Sequence, residues 1–240
     1  MDKIWFANLI IRGLSLESIL NFNDGLKFII TVNSEIAVLA NEEERLKKII
    51  NENWSTFDGQ VPFLFAKLMY PKMRIEKISG SDLIYTLSEY AAKNQLKVFL
   101  LGGYPESNQI SVNVLGDRYN IEIEGYSPPY QPYPFDEPLN RKMIMKISQF
   151  SPDILFVAFG AKKQEYWIDD NREALQDMGV KWVIGCGGTF EMVAGRYKRA
   201  PKMIQQLALE GVHRFIQEPK WFRLIRIFHS FKIFKYMLVN

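Results

Sequence analysis

The stretch ILFVAFGAKKQEYWI, residues 154–168, decides the fold. Six apolar residues run without alternation, stop at Gly160, and give way at once to Lys162, Lys163, Gln164 and Glu165, where a helical pattern begins. A short continuous apolar run that does not alternate reads as a strand buried on both faces. The same grammar recurs along the chain. Phe28–Val32 ends at Asn33, Val98–Leu101 ends at Gly102-Gly103, and Trp182–Ile184 ends at Gly185. Helix-like spacing fills Glu35–Asn51, Ser81–Asn94, Glu106–Tyr119, Glu137–Phe150 and Gln164–Gln176. Buried strands alternating with helices predict an α/β fold, a mostly parallel sheet flanked by helices on both faces. Ligands of such sheets sit beyond the carboxyl ends of the strands, so these turns are expected to line one crevice.

Composition bounds the rest. The chain has 240 residues, 48% hydrophobic and 24% charged, which is ordinary for a folded protein. One cysteine, Cys186, excludes an internal disulfide framework and fits a reducing compartment. The opening MDKIWFANLIIRG has no long apolar core or cleavage site of a signal peptide, and no apolar stretch is long enough to span a bilayer. GxGxxG, GxxxxGK[ST] and zinc-spaced Cys/His clusters are missing, so dinucleotide, P-loop and zinc readings fail and no metal site is expected. Both histidines, His213 and His229, lie near the C-terminus, which leaves a carboxylate as the expected general base of the body.

Each candidate residue has a plain reading beside its chemical one. Asp58 in STFDGQ is a turn residue or a base that takes a proton from a hydroxyl nucleophile. Thr31 and Asn33 close the first strand; Asn33 or Ser34 caps the next helix, or the pair holds a sugar hydroxyl. Gly80 and Asp82, in SGSD, open a helix whose backbone N–H groups would also suit an anion. Gly102-Gly103 and Gly185-Cys-Gly187-Gly188 are tight turns or places where a phosphate approaches the backbone. Lysines at a helix start oppose the helix dipole, so Lys162 and Lys163 mark either a solvated end or an anionic ligand. The Pro- and aromatic-rich SPPYQPYPFDEP, residues 127–138, reads as a loop beside the crevice.

Charge divides the chain. From Arg196 onward there are ten Lys/Arg against two Asp/Glu, a net +8; the remainder holds 20 against 25, a net −5. The segment 196–240 is therefore set apart as a basic C-terminal appendage to a core of 1–195. In its last part Trp221, Leu224, Ile225, Phe228 and Phe231 share a broad helical face, with Lys220, Arg223, Arg226, Lys232 and Lys235 elsewhere. That pattern suits an anionic membrane surface. The plain alternative is a helix packed on the body with its charges in water. A nucleic-acid tail would need fewer large apolar residues.

TVNSEIAVLA (31–40), FDGQ (57–60), ISGSDL (78–83), VFLLGG (98–103), PDILFVAFGAKKQEYWI (152–168), VIGCGGTFEMVAGRYKRAP (183–201) and RFIQEPKW (214–221) follow one another in an order that resembles the WecG/TagA/CpsF family of bacterial glycosyltransferases. The resemblance implies a Rossmann-like α/β core with a C-terminal helical, basic appendage that docks on the membrane and completes the active site. It implies an inverting transfer, without metal or cofactor, from a UDP-sugar as substrate to a polyprenyl-diphosphate-linked saccharide. The product would be a surface polysaccharide, teichoic acid or capsule, made by a peripheral enzyme on the cytoplasmic face of the plasma membrane. By resemblance Asp58 is the base, Thr31 and Asn33 its polar neighbours, and Lys77, Gly80, Asp82, Gly102, Gly103, Gly160, Gln164, Glu165, Gly187, Gly188 and Arg214 belong to the substrate site. Lys220, Trp221, Arg223 and Arg226 are expected at the membrane. Three positions depart from the family pattern: Lys77 stands for Arg, Lys162 for Pro, and Gly211 for Trp. A non-catalytic accessory subunit is the competing reading. Monomer and homo-oligomer both stay open.

Overall fold

The computed structural model describes residues 3–21, 25–207 and 209–237, and of 202, 206 and 222 the backbone alone. Residues 238–240 of the basic tail lie outside the described residues. The chain opens with β1 (Ile4–Phe6) and β2 (Leu9–Ile11), an antiparallel hairpin closed by Ala7-Asn8. Both turn residues have positive φ, +47° and +59°. This turn matches strand twist, but it normally recruits Asn-Gly, so Ala7 gives the sequence no hairpin signal. Then come α1 (Leu16–Leu20), β3 (Lys27–Val32), α2 (Ser34–Glu42), α3 (Glu44–Glu52), β4 (Trp54–Phe57), α4 (Gln60–Met69) and α5 (Gly80–Asn94). They are followed by β5 (Val98–Gly102), α6 (Pro105–Tyr119), β6 (Ile123–Tyr126), α7 (Glu137–Phe150) and β7 (Ile154–Ala158). The chain closes with α8 (Lys163–Asp170), α9 (Arg172–Asp177), β8 (Trp182–Gly185), α10 (Thr189–Val193), α11 (Lys202–Gln206), α12 (Glu210–Gln217), α13 (Trp221–Ser230) and α14 (Ile233–Met237).

Six strands form a parallel sheet in the order β4-β3-β8-β7-β5-β6, flanked by helices in a Rossmann-like arrangement, as expected. Four strands lie where continuous apolar runs placed them. β4 (WSTF) and β6 (IEGY) escape that reading, because Ser55, Thr56 and Glu124 interrupt the apolar run. In β6 half the positions are exposed, as an edge strand allows.

Two expected helices are each broken in two. Residues 35–51 form α2 and α3, separated by extended Glu43 (φ −133°, ψ 109°), which lets Leu46, Ile49 and Ile50 of α3 turn inward. Residues 164–176 form α8 and α9, separated at Asn171. There the side chain donates to the Trp167 carbonyl at 2.8 Å and accepts from the Asn140 amide at 2.9 Å. Side chains satisfying backbone groups locally compete with helix continuation.

The residues gather into two compact units, each discontinuous in sequence. The first comprises Met1–Asn21, Ile30–Ser79 and Tyr197–Asn240, so the C-terminal segment packs with the N-terminal third of the chain. Its core joins the hairpin to the sheet, with Phe6 and Phe57 edge-to-face at 5.1 Å. The second comprises Phe22–Ile29 and Gly80–Arg196. Its core is the fully buried β5, β7 and β8, in register Leu101↔Val157↔Gly185.

In the first unit Asn41 of α2 ties down the strained hairpin turn. Its amide donates to the carbonyls of Ala7 and Ala37, both at 2.8 Å, and its oxygen accepts from the Asn8 amide at 2.9 Å. Asn41→Ala is expected to lower unfolding free energy by about 1–2 kcal/mol, measured by urea denaturation.

Candidate active site

In the first unit β3 and β4 end side by side. Thr31 lies on β3 and Asn33 follows its last residue, while Asp58 follows β4 and donates its N–H to the Val32 carbonyl at 3.0 Å. Thr31, Asn33 and Asp58 are all half-buried. Asn33 does cap α2, its side chain accepting from the Ile36 N–H at 3.0 Å. Asp58 is not a hairpin turn. It passes the chain from a strand into α4 through Gly59, whose φ of +89° is open to glycine. Lys77 pairs with Phe57 in a parallel bridge, and the neighbouring Ile78 N–H donates to the Phe57 carbonyl at 2.8 Å.

The C-terminal segment reaches this strand edge. Lys77 Nζ donates to Gln205 Oε1 at 3.4 Å, and Arg199 Nη2 donates to Ser79 Oγ at 3.5 Å. Sequence reasoning singled out Arg214 and passed over Arg199, Ser79 and Gln205. The signal for Arg199 lies in KRAP, where it counts toward the charge of the basic segment, but the sequence does not reveal its partner. Arg214 stacks on the Tyr197 ring, 4.0 Å from the centroid. Gln217 bridges the N–H and carbonyl of Lys198 at 2.8 and 2.9 Å and so ties α12 to the same strand of chain. Both histidines are engaged elsewhere: His213 faces Gln217, and His229 faces Glu42 at 3.1 Å.

In the second unit the turns after β5, β7 and β8 come together. Gly102 and Gly103 have φ of +95° and +69°, and a Cβ on either would stand 2.8 Å from the Ala158 carbonyl or 2.9 Å from the Phe190 ring. The Gly103 N–H donates to Ala158 O at 3.0 Å. Packing and backbone shape both demand glycine at these two positions. Gly160 (φ +87°) and Gly187 (φ +54°) differ, because a Cβ on either would meet nothing within 4 Å. Gly188 caps the start of α10, and Gly80 and Asp82 lie in the first turn of α5.

Gln164 and Glu165 are buried, at 5% and 1% exposure. Gln164 Oε1 accepts from the Gly187 N–H at 3.0 Å, and its amide donates to Glu165 Oε1 at 2.8 Å. Gly185 leaves the space they fill, since a Cβ there would lie 2.7 Å from the Gln164 amide. The pair therefore shapes the 185–188 turn from beneath. Burial pushes the Glu165 carboxyl up to about 7, against the opposing hydrogen bond from Gln164. Burial also raises the Cys186 thiol, which removes it as a nucleophile at neutral pH.

Lys162, at the position where the family pattern has Pro, adopts φ +70° and ψ −48°. Proline cannot reach that φ, and for any L-residue this γ-turn geometry is strained. The loop before α7 closes over the start of α8. Lys163 donates to the Gln131 carbonyl at 3.2 Å and sits 4.6 Å from the centroid of Tyr130, and Phe135 packs edge-to-face on Phe159 at 4.9 Å. Ser127 anchors its other end on the Gly103 carbonyl at 2.6 Å.

The tail helix is inverted. In α13 Trp221, Ile225 and Phe228, one turn apart, are exposed at 74%, 53% and 66%. Its charges face acids instead: Arg226 pairs with Glu35, Lys232 with Glu42 at 2.9 Å, and Lys220 and Arg223 both with Glu218. No helix among the described residues is long and apolar enough to cross a membrane. No group of three His, Cys, Asp or Glu among them is placed to hold a metal ion.

Two outcomes test this geometry. A folded-state carboxyl near 7 against an ordinary 4.5 means that Glu165 keeps its proton in the folded protein after the unfolded chain has lost it. Its contribution to stability is whole below about pH 4.5 and falls as pH rises through about 7. The melting-temperature difference between wild type and Glu165→Gln should shift against wild type across that window. Lys162→Gly should relieve backbone strain and raise unfolding free energy by about 1 kcal/mol, read from urea midpoints.

The sequence profile described as the Glycosyl transferase WecG/TagA/CpsF family matches residues 5–239. The family acts in cell-surface polysaccharide synthesis and in general uses a nucleotide-sugar donor and a lipid-linked acceptor. With the match spanning nearly the whole chain, and with a parallel α/β sheet carrying Asp58 and the glycine turns at its strand ends, the chain belongs to the WecG/TagA/CpsF family of glycosyltransferases.

Proposed function

We propose that the chain is an inverting, metal-independent hexosyltransferase acting at the inner face of the bacterial plasma membrane. It would move N-acetylmannosamine, its uronic acid, glucose or a similar sugar from a UDP-sugar to a polyprenyl-diphosphate-linked saccharide, and would need no cofactor. The observation that carries this reading lies in the first unit. Asp58 stands beside Thr31 and Asn33 at adjacent strand ends, and the C-terminal segment delivers Arg199 and Gln205 to the flanking Ser79 and Lys77.

In this reading the Asp58 carboxylate takes the proton of the acceptor hydroxyl as its oxygen bonds to the sugar C1. The bond from C1 to the diphosphate oxygen breaks on the opposite side, and UDP leaves with the electron pair, so configuration inverts. Charge develops on the diphosphate, and fixed cations meet it at low reorganisation cost. Arg199 and Arg214 are the residues assigned to that work. Gly160 and Gly187, with open space above them, fall to the nucleotide, with Gln164 and Glu165 holding the Gly187 turn in shape.

The apolar outward face of α13 supports peripheral membrane docking. The pairing of Arg226 and Lys232 with acids of α2 lessens the charge left for RNA.

Asp58→Asn should cut turnover by a factor of about 10²–10⁴ while UDP affinity stays within a few-fold. The assay uses purified protein on liposomes with a panel of UDP-sugars, a prenyl-diphosphate saccharide and excess EDTA. Near-normal turnover in the variant would remove Asp58 as base. Loss of wild-type turnover in EDTA would overturn metal independence.

A further inference from the structure

The apolar surface of the first unit does not end with the tail. Helix α4, which begins two residues after Asp58, exposes Leu64 at 49%, Leu68 at 76% and Met69 at 36%. Leu64 and Leu68 are one turn apart and share a face with exposed Lys67. A helix of a water-bathed domain turns such leucines inward. Here Pro62 and Ala66 are the buried residues of α4, Val61, Phe63 and Phe65 are half-buried, and Leu64, Leu68 and Met69 point out.

This ridge joins the tail. Phe65 of α4 meets Phe234 of α14 edge-to-face at 5.7 Å, and Phe234 stacks on exposed Phe231 at 6.5 Å. On its other flank Tyr70, the cap of α4, donates its hydroxyl to the Trp5 carbonyl at 2.8 Å, and the Trp5 ring is half exposed. A tryptophan suits the boundary between headgroups and acyl chains. Residues 59–75 contain Lys67, Lys72 and Arg74 and no acid, and residues 219–240 contain five Lys/Arg and no acid. Arg74 pairs with Glu76 at 2.8 Å, and Arg226 and Lys232 pair with Glu35 and Glu42, but the exposed surface of α4 itself adds Lys67 and no acid.

We infer that α4 is a second membrane-contact element, entering the headgroup–acyl boundary of an anionic bilayer by Leu64 and Leu68 and thereby setting the height of Asp58 above the hydrocarbon. The inference rests on the proposed role of Asp58 toward a lipid-linked acceptor. Interfacial elements bury their apolar faces by about 5–10 Å. With the Leu64/Leu68 face of α4 at that depth, Asp58, two residues before the helix, is held near headgroup level, where the diphosphate-linked sugar of an embedded polyprenyl chain emerges. The same helix that positions the base thus reads the membrane surface.

Nitroxide labels test this at single cysteines Leu68→Cys, Phe228→Cys and, as an aqueous control on α7, Met145→Cys; native Cys186 is buried. On vesicles of phosphatidylglycerol and phosphatidylcholine, labels at 68 and 228 should gain access to oxygen and lose access to a water-soluble nickel complex, while 145 stays unchanged. A label at 228 that enters while 68 stays aqueous overturns the inference and leaves membrane docking by the tail intact. If neither enters, the docking reading falls with it. A label at 68 already immobilised without vesicles, in a chain that sediments as a dimer, makes a second copy the occupant and overturns the inference. The double variant Leu64→Ser/Leu68→Ser should lower vesicle partitioning roughly tenfold or more with unchanged circular dichroism, and an unchanged partition would count against α4.

Discussion

Parallel strand pairing is the constraint on which the rest of this structure depends. A parallel ladder cannot be closed by a tight turn, so each strand must be followed by a crossover that returns the chain to the same starting edge. Strand ends of one kind then become neighbours within each unit. The register that sets Leu101 beside Val157 and Val157 beside Gly185 delivers Gly102, Gly160 and Gly187 to one neighbourhood. The Asp58–Val32 hydrogen bond does the same for Asp58, Thr31 and Asn33. Residues far apart in sequence become chemical neighbours through backbone hydrogen bonds, before any side chain chooses a partner.

Side chains then divide into those that shape and those that face outward. Gln164 and Glu165 lie in the most specific motif of the chain, yet both are buried under the 185–188 turn. Gln164 meets the backbone N–H of Gly187, and Glu165 holds the Gln164 amide. A buried carboxyl in this place costs stability when charged, and its amide partner offsets only part of that cost. Gly102 and Gly103 serve packing, while Gly160 and Gly187 leave space. Four glycines that look alike in sequence thus have two different physical reasons.

Much of this was legible from residue order. Continuous apolar runs located β3, β5, β7 and β8, because strands buried on both faces need no alternation. Ser55, Thr56 and Glu124 broke the apolar pattern of β4 and β6, and the Ala7-Asn8 turn used an alanine where a glycine would have announced a hairpin. Helix periodicity found the right segments but ran through the breaks at Glu43 and Asn171. Periodicity reports which residues are apolar; the break at Glu43 is one of backbone conformation, and the break at Asn171 also involves Asn140, 31 residues away. Arg199 was hidden for a similar reason: its meeting with Ser79 spans 120 residues.

The sequence by itself determined the fold class, the family and the identity of the strand-end residues. These depend on hydrophobic pattern and motif order, which are local properties of the chain. Only the tertiary structure decided that Arg226 and Lys232 of the tail meet Glu35 and Glu42 while Trp221, Ile225 and Phe228 turn outward. An amphipathic pattern fixes that a helix has two faces, not which one meets the body. Acids on α2, about 190 residues away, pair with Arg226 and Lys232 on the side that meets the body, and the apolar face is left outside.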